Sequence, residues 1–246
     1  MSVKTDNGFT VIEVMLFLAV TGLLAIGVLA GSGVAIGQQR YRDSVNTFKS
    51  FLQEQYSESA NVVNARTGEW NCGSNARVNE QANGGEARGT SDCVLLGRFI
   101  SINETGKELR AANVTAYRVQ GAEEANNDIE EIAENYRLAQ SPVEVEESEV
   151  NWGATIVRPK STNPQPLSML IVRSPLSGAT LTFTAPGNTT NLNELVTQQN
   201  LATERNLCVD PDGTPFVGER LAVRIAPYAA SQSAISIPTE GEGVCD

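Results

Sequence analysis

The chain has 246 residues, 41% hydrophobic and 19% charged, which suffices for one sizeable core plus an appendage and is too apolar for wholesale disorder. Against 18 Lys and Arg stand 29 Asp and Glu, a formal charge of −11 that disfavours direct binding of nucleic acid, since phosphates require clustered cations. Histidine is absent, which removes Ser-His-Asp and Cys-His nucleophiles, histidine bases and histidine metal ligands, so neither an enzyme nor a cofactor is expected.

The first informative element is the stretch from Phe9 to Ile36, 28 residues with one charged side chain, Glu13. As a helix rising 1.5 Å per residue it covers ~42 Å, more than the ~30 Å of a bilayer's hydrocarbon, so it can span a membrane with tilt. A secretory signal has a shorter apolar region followed by a small-residue cleavage site, which this stretch does not match. The helical pattern continues instead through Tyr41, Val45, Phe48, Leu52, Tyr56, Ala60 and Val63, steps of three and four that describe one apolar stripe. One helix is expected from about Phe9 to Val63, membrane-spanning over 9–36 and amphipathic over 37–63. Gly22, Gly27, Gly31, Gly33 and Gly37 are poor helix formers where it could loosen, and Gly27/Gly31 and Gly33/Gly37 are small-xxx-small pairs that permit close helix approach.

A carboxylate in such a segment needs a partner, because an ionised group near the centre of a membrane helix costs about 2.5–3.5 kcal/mol on insertion scales. Glu13 is the fifth residue of the apolar run, and before it stands a polar leader, MSVKTDNG, ending in Gly8. The constellation Gly8-Phe9-Thr10-Val11-Ile12-Glu13 ahead of a long apolar run resembles the processing motif of type IV prepilins and type II secretion pseudopilins. The resemblance covers roughly the first quarter of the chain. It implies cleavage by prepilin peptidase between Gly8 and Phe9, N-methylation of Phe9, and a role for Glu13 in assembly, its carboxylate pairing with the Phe9 amine of a neighbouring subunit. Many major pilins carry a proline partway along the membrane helix; here Ala30 stands at the corresponding place.

Basic residues do not orient the segment, since Lys4 and the initiator amine flank one end and Arg40 and Arg42 the other. Cysteines do: Cys72, Cys93, Cys208 and Cys245 are even in number, lack CxxC spacing and have no histidine to complete a zinc site, so no metal is expected. Two disulfides are read, which favours an oxidising exterior for the bulk of the chain. Of three possible connectivities, the local one joins Cys72 to Cys93 and Cys208 to Cys245. The second pair also resembles the C-terminal disulfide loop of many pilins.

Residues 64–246 form the expected head. Asn64 to Cys93 is rich in Asn, Gly and Arg and reads as a long loop pinned by cysteines. Cys93–Ile102 and Val114–Val119 read as a hairpin, with Asn103–Gly106 a turn within its connection. Between Gly121 and Val150 ten acids face one arginine, so nearly all the net charge resides there; a solvated helix face or loop is expected, with a helix at Asp128–Ala139. Further strands are expected at Ala154–Val157, Met169–Arg173, Thr180–Thr184, Asn206–Val209, Leu221–Ile225 and Ala234–Ile237. Asp210-Pro211-Asp212-Gly213 reads as a β-turn rather than a calcium loop, because no later bidentate Glu follows at loop spacing. Trp70, Trp152 and Tyr136 are taken as core.

These elements make an α+β fold, a long N-terminal helix leading into an antiparallel sheet head, which resembles the pilin architecture. The resemblance implies a structural subunit, more in keeping with a minor pilin because the head is long and carries an acidic insertion. Its implied partners are other pilin subunits, prepilin peptidase, an inner-membrane assembly platform, and membrane lipid before assembly. The location implied is a single-pass membrane precursor with its head outside the cytoplasm, then a surface filament. The alternative is an unprocessed, membrane-anchored extracellular binding domain.

Overall fold

The computed structural model describes residues 10–61, 69–81, 85–87, 89–211, 218–238 and 243–245. Gly8 and Phe9, with the rest of the leader, lie outside the described residues, as do Val63, Asp212 and Gly213.

One unbroken helix, α1 (Val11–Ala60, 50 residues), dominates the shape. It passes through Gly22, Gly27, Gly31, Gly33 and Gly37 without interruption, so the expected loosening does not occur. A glycine costs a helix about 1 kcal/mol relative to alanine, which the long run of Leu, Ile, Val and Ala around these five offsets. The helix ends at Asn61, whose backbone N–H returns to the Ser57 carbonyl at 3.0 Å.

The remainder is antiparallel β structure, in agreement with the α+β class. The expected loop between Asn64 and Cys93 contains a two-stranded ribbon, β1 (Glu69–Cys72) and β2 (Val78–Gln81). Then come β3 (Cys93–Ile102) and β4 (Glu108–Arg118), the latter starting six residues earlier than its alternating core suggests. The acidic segment folds as α2 (Asp128–Asn135), β5 (Tyr136–Gln140) and β6 (Glu146–Glu149). The helix expected to reach Ala139 therefore stops at Asn135, because Tyr136–Gln140 pairs with the outer edge of β4. The chain continues through β7 (Thr155–Val157), β8 (Leu167–Arg173), β9 (Thr180–Pro186), a short helix α3 (Gln198–Ala202), β10 (Arg205–Asp210), β11 (Ala222–Ile225) and the two-residue β12 (Ile235–Ser236).

The larger sheet has the order β5-β4-β3-β8-β9, with β6 sharing the β4 edge: β5 takes Val114–Arg118 and β6 takes Glu108–Ala111. The smaller sheet has the order β12-β11-β10-β7. Both faces of the larger sheet are covered, which is why its central strands read as near-continuous apolar runs. On one face Ile100, Ile102, Met169 and Ile171 meet Tyr41, Val45, Phe48, Leu52 and Tyr56 of α1, and the smaller sheet closes this core with Ile156, Leu207, Val209 and Val223. On the other face Phe99, Val114, Leu170, Val172 and Phe183 lie under Ile132 of α2 and the 192–196 turn. Alternate residues of β3 and β8 serve opposite cores, each large side chain contributing about 1.5–3 kcal/mol. Where β3 bulges at Leu95/Gly97, only glycine fits: a Cβ on Gly97 would run into the Ile171 carbonyl and stand 2.8 Å from Val172 Cα.

Candidate functional site

The N-terminal end of α1 is closed by a capping box. Thr10 is extended and its hydroxyl accepts from Glu13 N at 3.3 Å, while Glu13 Oε2 accepts from Thr10 N at 2.8 Å and from the Thr10 hydroxyl at 3.0 Å. Glu13 thus has a partner within its own chain, which the expectation of a partner from a neighbouring subunit does not include. The signal was legible: a threonine followed three residues later by glutamate before an apolar run spells this motif.

Beyond Glu13 the helix stands alone. Between Val14 and Ile36 the large apolar side chains of Val14, Leu16, Leu23, Leu24, Val28 and Leu29 are exposed, with Leu23, Val28 and Leu29 each 71% accessible, and an 18-residue window of the helix reaches a mean hydropathy of 2.5 with none of it buried by the head. By length and composition it can cross a membrane. Its few hydroxyls are satisfied internally, Thr21 Oγ1 donating to the Phe17 carbonyl at 2.8 Å and Ser32 Oγ to the Leu29 carbonyl at 3.0 Å, as a hydrocarbon environment demands. Nothing approaches Gly22, Gly27, Gly31 or Gly33 within 4 Å of where a Cβ would stand.

The head is fastened to the second half of the helix by side-chain hydrogen bonds set into the core. Tyr41 OH donates to the Val209 carbonyl at 2.9 Å and accepts from Leu221 N at 2.6 Å. Ser44 Oγ donates to the Asn151 carbonyl at 2.6 Å, and Gln53 Nε2 lies 3.1 Å from both the Gln232 and Ile235 carbonyls. Tyr56 OH lies 3.0 Å from Thr182 Oγ1, and burial pushes its phenol up to about 12 although that hydrogen bond acts the other way. A larger polar cluster also crosses the interface. Arg98, 4% exposed, donates to Gln55 Oε1 at 3.0 Å, Asn113 Oδ1 at 3.1 Å and Glu146 Oε2 at 3.3 Å. Gln55 Nε2 in turn reaches Glu146 at 3.2 Å and Asn113 Nδ2 reaches Glu144 at 2.8 Å.

The acidic segment is therefore not simply a solvated face. Glu144 and Glu146 complete the Arg98 cluster, Asp128 accepts from Ser174 at 2.6 Å and Ser177 at 2.9 Å, and the buried Glu131 accepts from Asn135 at 2.7 Å. Glu123, Glu124, Glu134, Glu147 and Glu149 face solvent. Asp128, Glu130 and Glu131 also occupy the first turn of α2, where the helix dipole favours negative charge.

Cys72 pairs with Cys93 and Cys208 with Cys245, each with Cα atoms 5.7 Å apart. The first joins the end of β1 to the start of β3, a junction to which Thr115 adds a 2.7 Å hydrogen bond to the Ala76 carbonyl. The second ties the chain terminus to the fully buried centre of the smaller sheet. Arg220 supports it, donating to the Cys245 carbonyl at 2.6 Å and meeting Asp210 at 3.3 Å, so Asp210 serves an ion pair there.

The aromatics expected in the core behave differently. Trp70 and Tyr136 are half-buried, and Trp152 is 53% exposed. It sits at φ +59° in the Asn151–Gly153 turn, its indole Nε1 donating to Asp43 Oδ2 at 2.7 Å and the Arg40 guanidinium carbon 4.8 Å from its ring centroid. The tight turn projects the ring sideways onto α1, which a general preference for burying aromatics does not foresee.

Among the described residues no group of three acidic or cysteine side chains is arranged to hold a metal ion. Compared with protein families, with curated proteins and with solved structures, the chain matches none. The class reached from the fold is an α+β protein with one exposed apolar helix and a disulfide-linked β head.

Proposed function

We propose that this chain is a type IV pilin-like structural subunit, in keeping with a minor pilin, cut between Gly8 and Phe9 by prepilin peptidase, methylated at Phe9 and assembled into a surface filament. The observation that carries the reading is the sequence constellation Gly8, Phe9 and Glu13 at the start of a 50-residue helix whose first half is bare and whose second half buries one apolar stripe beneath the head. A bare apolar helix satisfied by lipid is equally satisfied by copies of itself, so the same side chains serve a membrane precursor and a helical bundle. The head, two disulfides included, would lie outside the cytoplasm and on the outer surface of the fibre. Partners would be other pilin subunits, the peptidase, an inner-membrane assembly platform and, before assembly, lipid.

In this reading Glu13 does two things. Its backbone and carboxylate close the helix start with Thr10, and its charge attracts the Phe9 amine of a neighbouring subunit. The capping box favours a second reading, an unprocessed membrane-anchored binding domain, because it gives the carboxylate a use without any neighbour. Glutamine separates the two, since it caps a helix at this position as glutamate does but carries no charge. Glu13→Gln should insert into membranes like the natural chain yet fall about tenfold in sheared filaments, the ratio given by ~1.4 kcal/mol. Incorporation equal to that of the natural chain, with Glu13→Ala alone defective, would reduce Glu13 to a cap.

A further inference from the structure

Trp152 is held outside the core by three contacts made from one stretch of α1, although it is 109 residues distant from Asp43 in sequence. Ser44 anchors its turn through the Asn151 carbonyl, Asp43 takes its indole N–H, and Arg40 stacks on its face. The residue adopts a left-handed conformation, φ +59° and ψ 24°, that a bulky side chain visits at a cost. The result is a rigid aromatic shelf rather than a loose side chain. Beside it lies an open hollow of about 550 Å³ whose lining includes Ile36, Arg40, Arg42, Asp43, Asn46 and Trp152. Its charged lining consists of two guanidiniums, Arg40 and Arg42, and one carboxylate, Asp43, which the indole engages, a formal surplus of one cation in a chain whose total charge is −11.

Its height along the helix is the deciding quantity. Val14 to Ile36 at 1.5 Å per residue spans ~33 Å, close to the ~30 Å of hydrocarbon. Arg40 follows Ile36 by ~6 Å, within the polar layer that adds roughly 5–7 Å on each side of the bilayer, and Asp43 by ~10 Å, just beyond it, so that the Trp152 ring between them meets the outer part of that layer. Tryptophan is favoured there because its ring is apolar and its N–H polar, and arginine because it binds phosphate through a fork of donors. We propose that this hollow is a lipid-headgroup site: in the inserted chain Trp152 lies in the headgroup layer, Arg40 and Arg42 bind lipid phosphate, and the head is thereby seated on the membrane surface. The inference rests on 14–36 spanning the bilayer and not on filament assembly.

The chain has two tryptophans, so Trp70→Phe leaves Trp152 as sole reporter. The full chain is reconstituted in vesicles of phosphatidylcholine and phosphatidylglycerol, and Trp152 emission is followed with a headgroup nitroxide lipid, a mid-chain brominated lipid and aqueous iodide. The headgroup probe should quench severalfold more strongly than the mid-chain probe, and Arg40→Gln with Arg42→Gln should weaken that quenching. Strong iodide quenching with no response to either lipid probe, or strongest quenching at mid-chain, overturns the proposal. If Trp70→Phe does not fold, the difference between the natural chain and Trp152→Phe supplies the same signal. Carbonate extraction separates the two kinds of failure: a retained chain without headgroup quenching refutes the site alone, and a released chain removes the membrane reading with it.

Discussion

Tyr56 illustrates how single residues hold helix and head together. Its hydroxyl is buried against Thr182, and its ionisation is deferred from the ordinary 10 to about 12. Between those values the unfolded chain loses a phenolic proton that the folded chain keeps, so stability present below pH 10 declines as pH rises towards 12, by on the order of 2 kcal/mol. Thermal melts from pH 9 to 12 should show this decline, and Tyr56→Phe should flatten it; an unchanged slope would mean that the phenol is hydrated in the folded protein. Glu13 and Trp152 show what is legible at this scale. The capping box stands in four consecutive letters, whereas the exposure of Trp152 depends on a turn that brings it against a helix far away in sequence.

At the level of elements, the Arg98 cluster explains why an acidic segment is packed against a helix. Two of its glutamates end where a buried guanidinium and a buried asparagine need acceptors. Removing the arginine alone leaves the buried Gln55 and Asn113 acceptors without their donor, at a cost of about 1–3 kcal/mol, while Glu146, 41% exposed, can turn to water. Arg98→Ala should lower the denaturation midpoint accordingly, and Arg98→Met, which keeps the volume, should recover part of the loss; a change under ~1 kcal/mol for both would show that the cluster is ornamental to stability. The strands of the larger sheet were legible because β-branched and aromatic residues concentrate in them. The β1–β2 ribbon was not, since its four-residue strands are polar and Asn-rich and their placement depends on the Cys72–Cys93 link. Tyr136–Ala139 reads as helix from sequence because Leu and Ala suit either state locally, and pairing with the edge of β4 decides for strand.

At the scale of the whole molecule, α1 is half bare and half core. The stripe through Tyr41, Val45, Phe48, Leu52 and Tyr56 was readable from spacing, and all five are buried. The stripe does not extend to Ala60, which is exposed, because the head covers only the turns up to Tyr56. What spacing does not reveal is the second layer: two sheets close around the helix, and the chain end is locked to the smaller one through Cys208–Cys245. Each disulfide closes a loop worth ~3–4 kcal/mol in the chain-entropy model. Unreduced, denatured protein should therefore resist thiol alkylation, and reduction should lower the unfolding midpoint; four alkylated thiols before reduction would contradict the oxidising environment proposed for the head.

The subunit reading as a whole turns on whether the leader is removed. Intact-mass measurement of the protein recovered from cells that carry a prepilin peptidase decides it: the account predicts a chain lacking Met1 to Gly8 and bearing one added methyl group on Phe9, and a displayed, membrane-bound product that retains its first eight residues would contradict it.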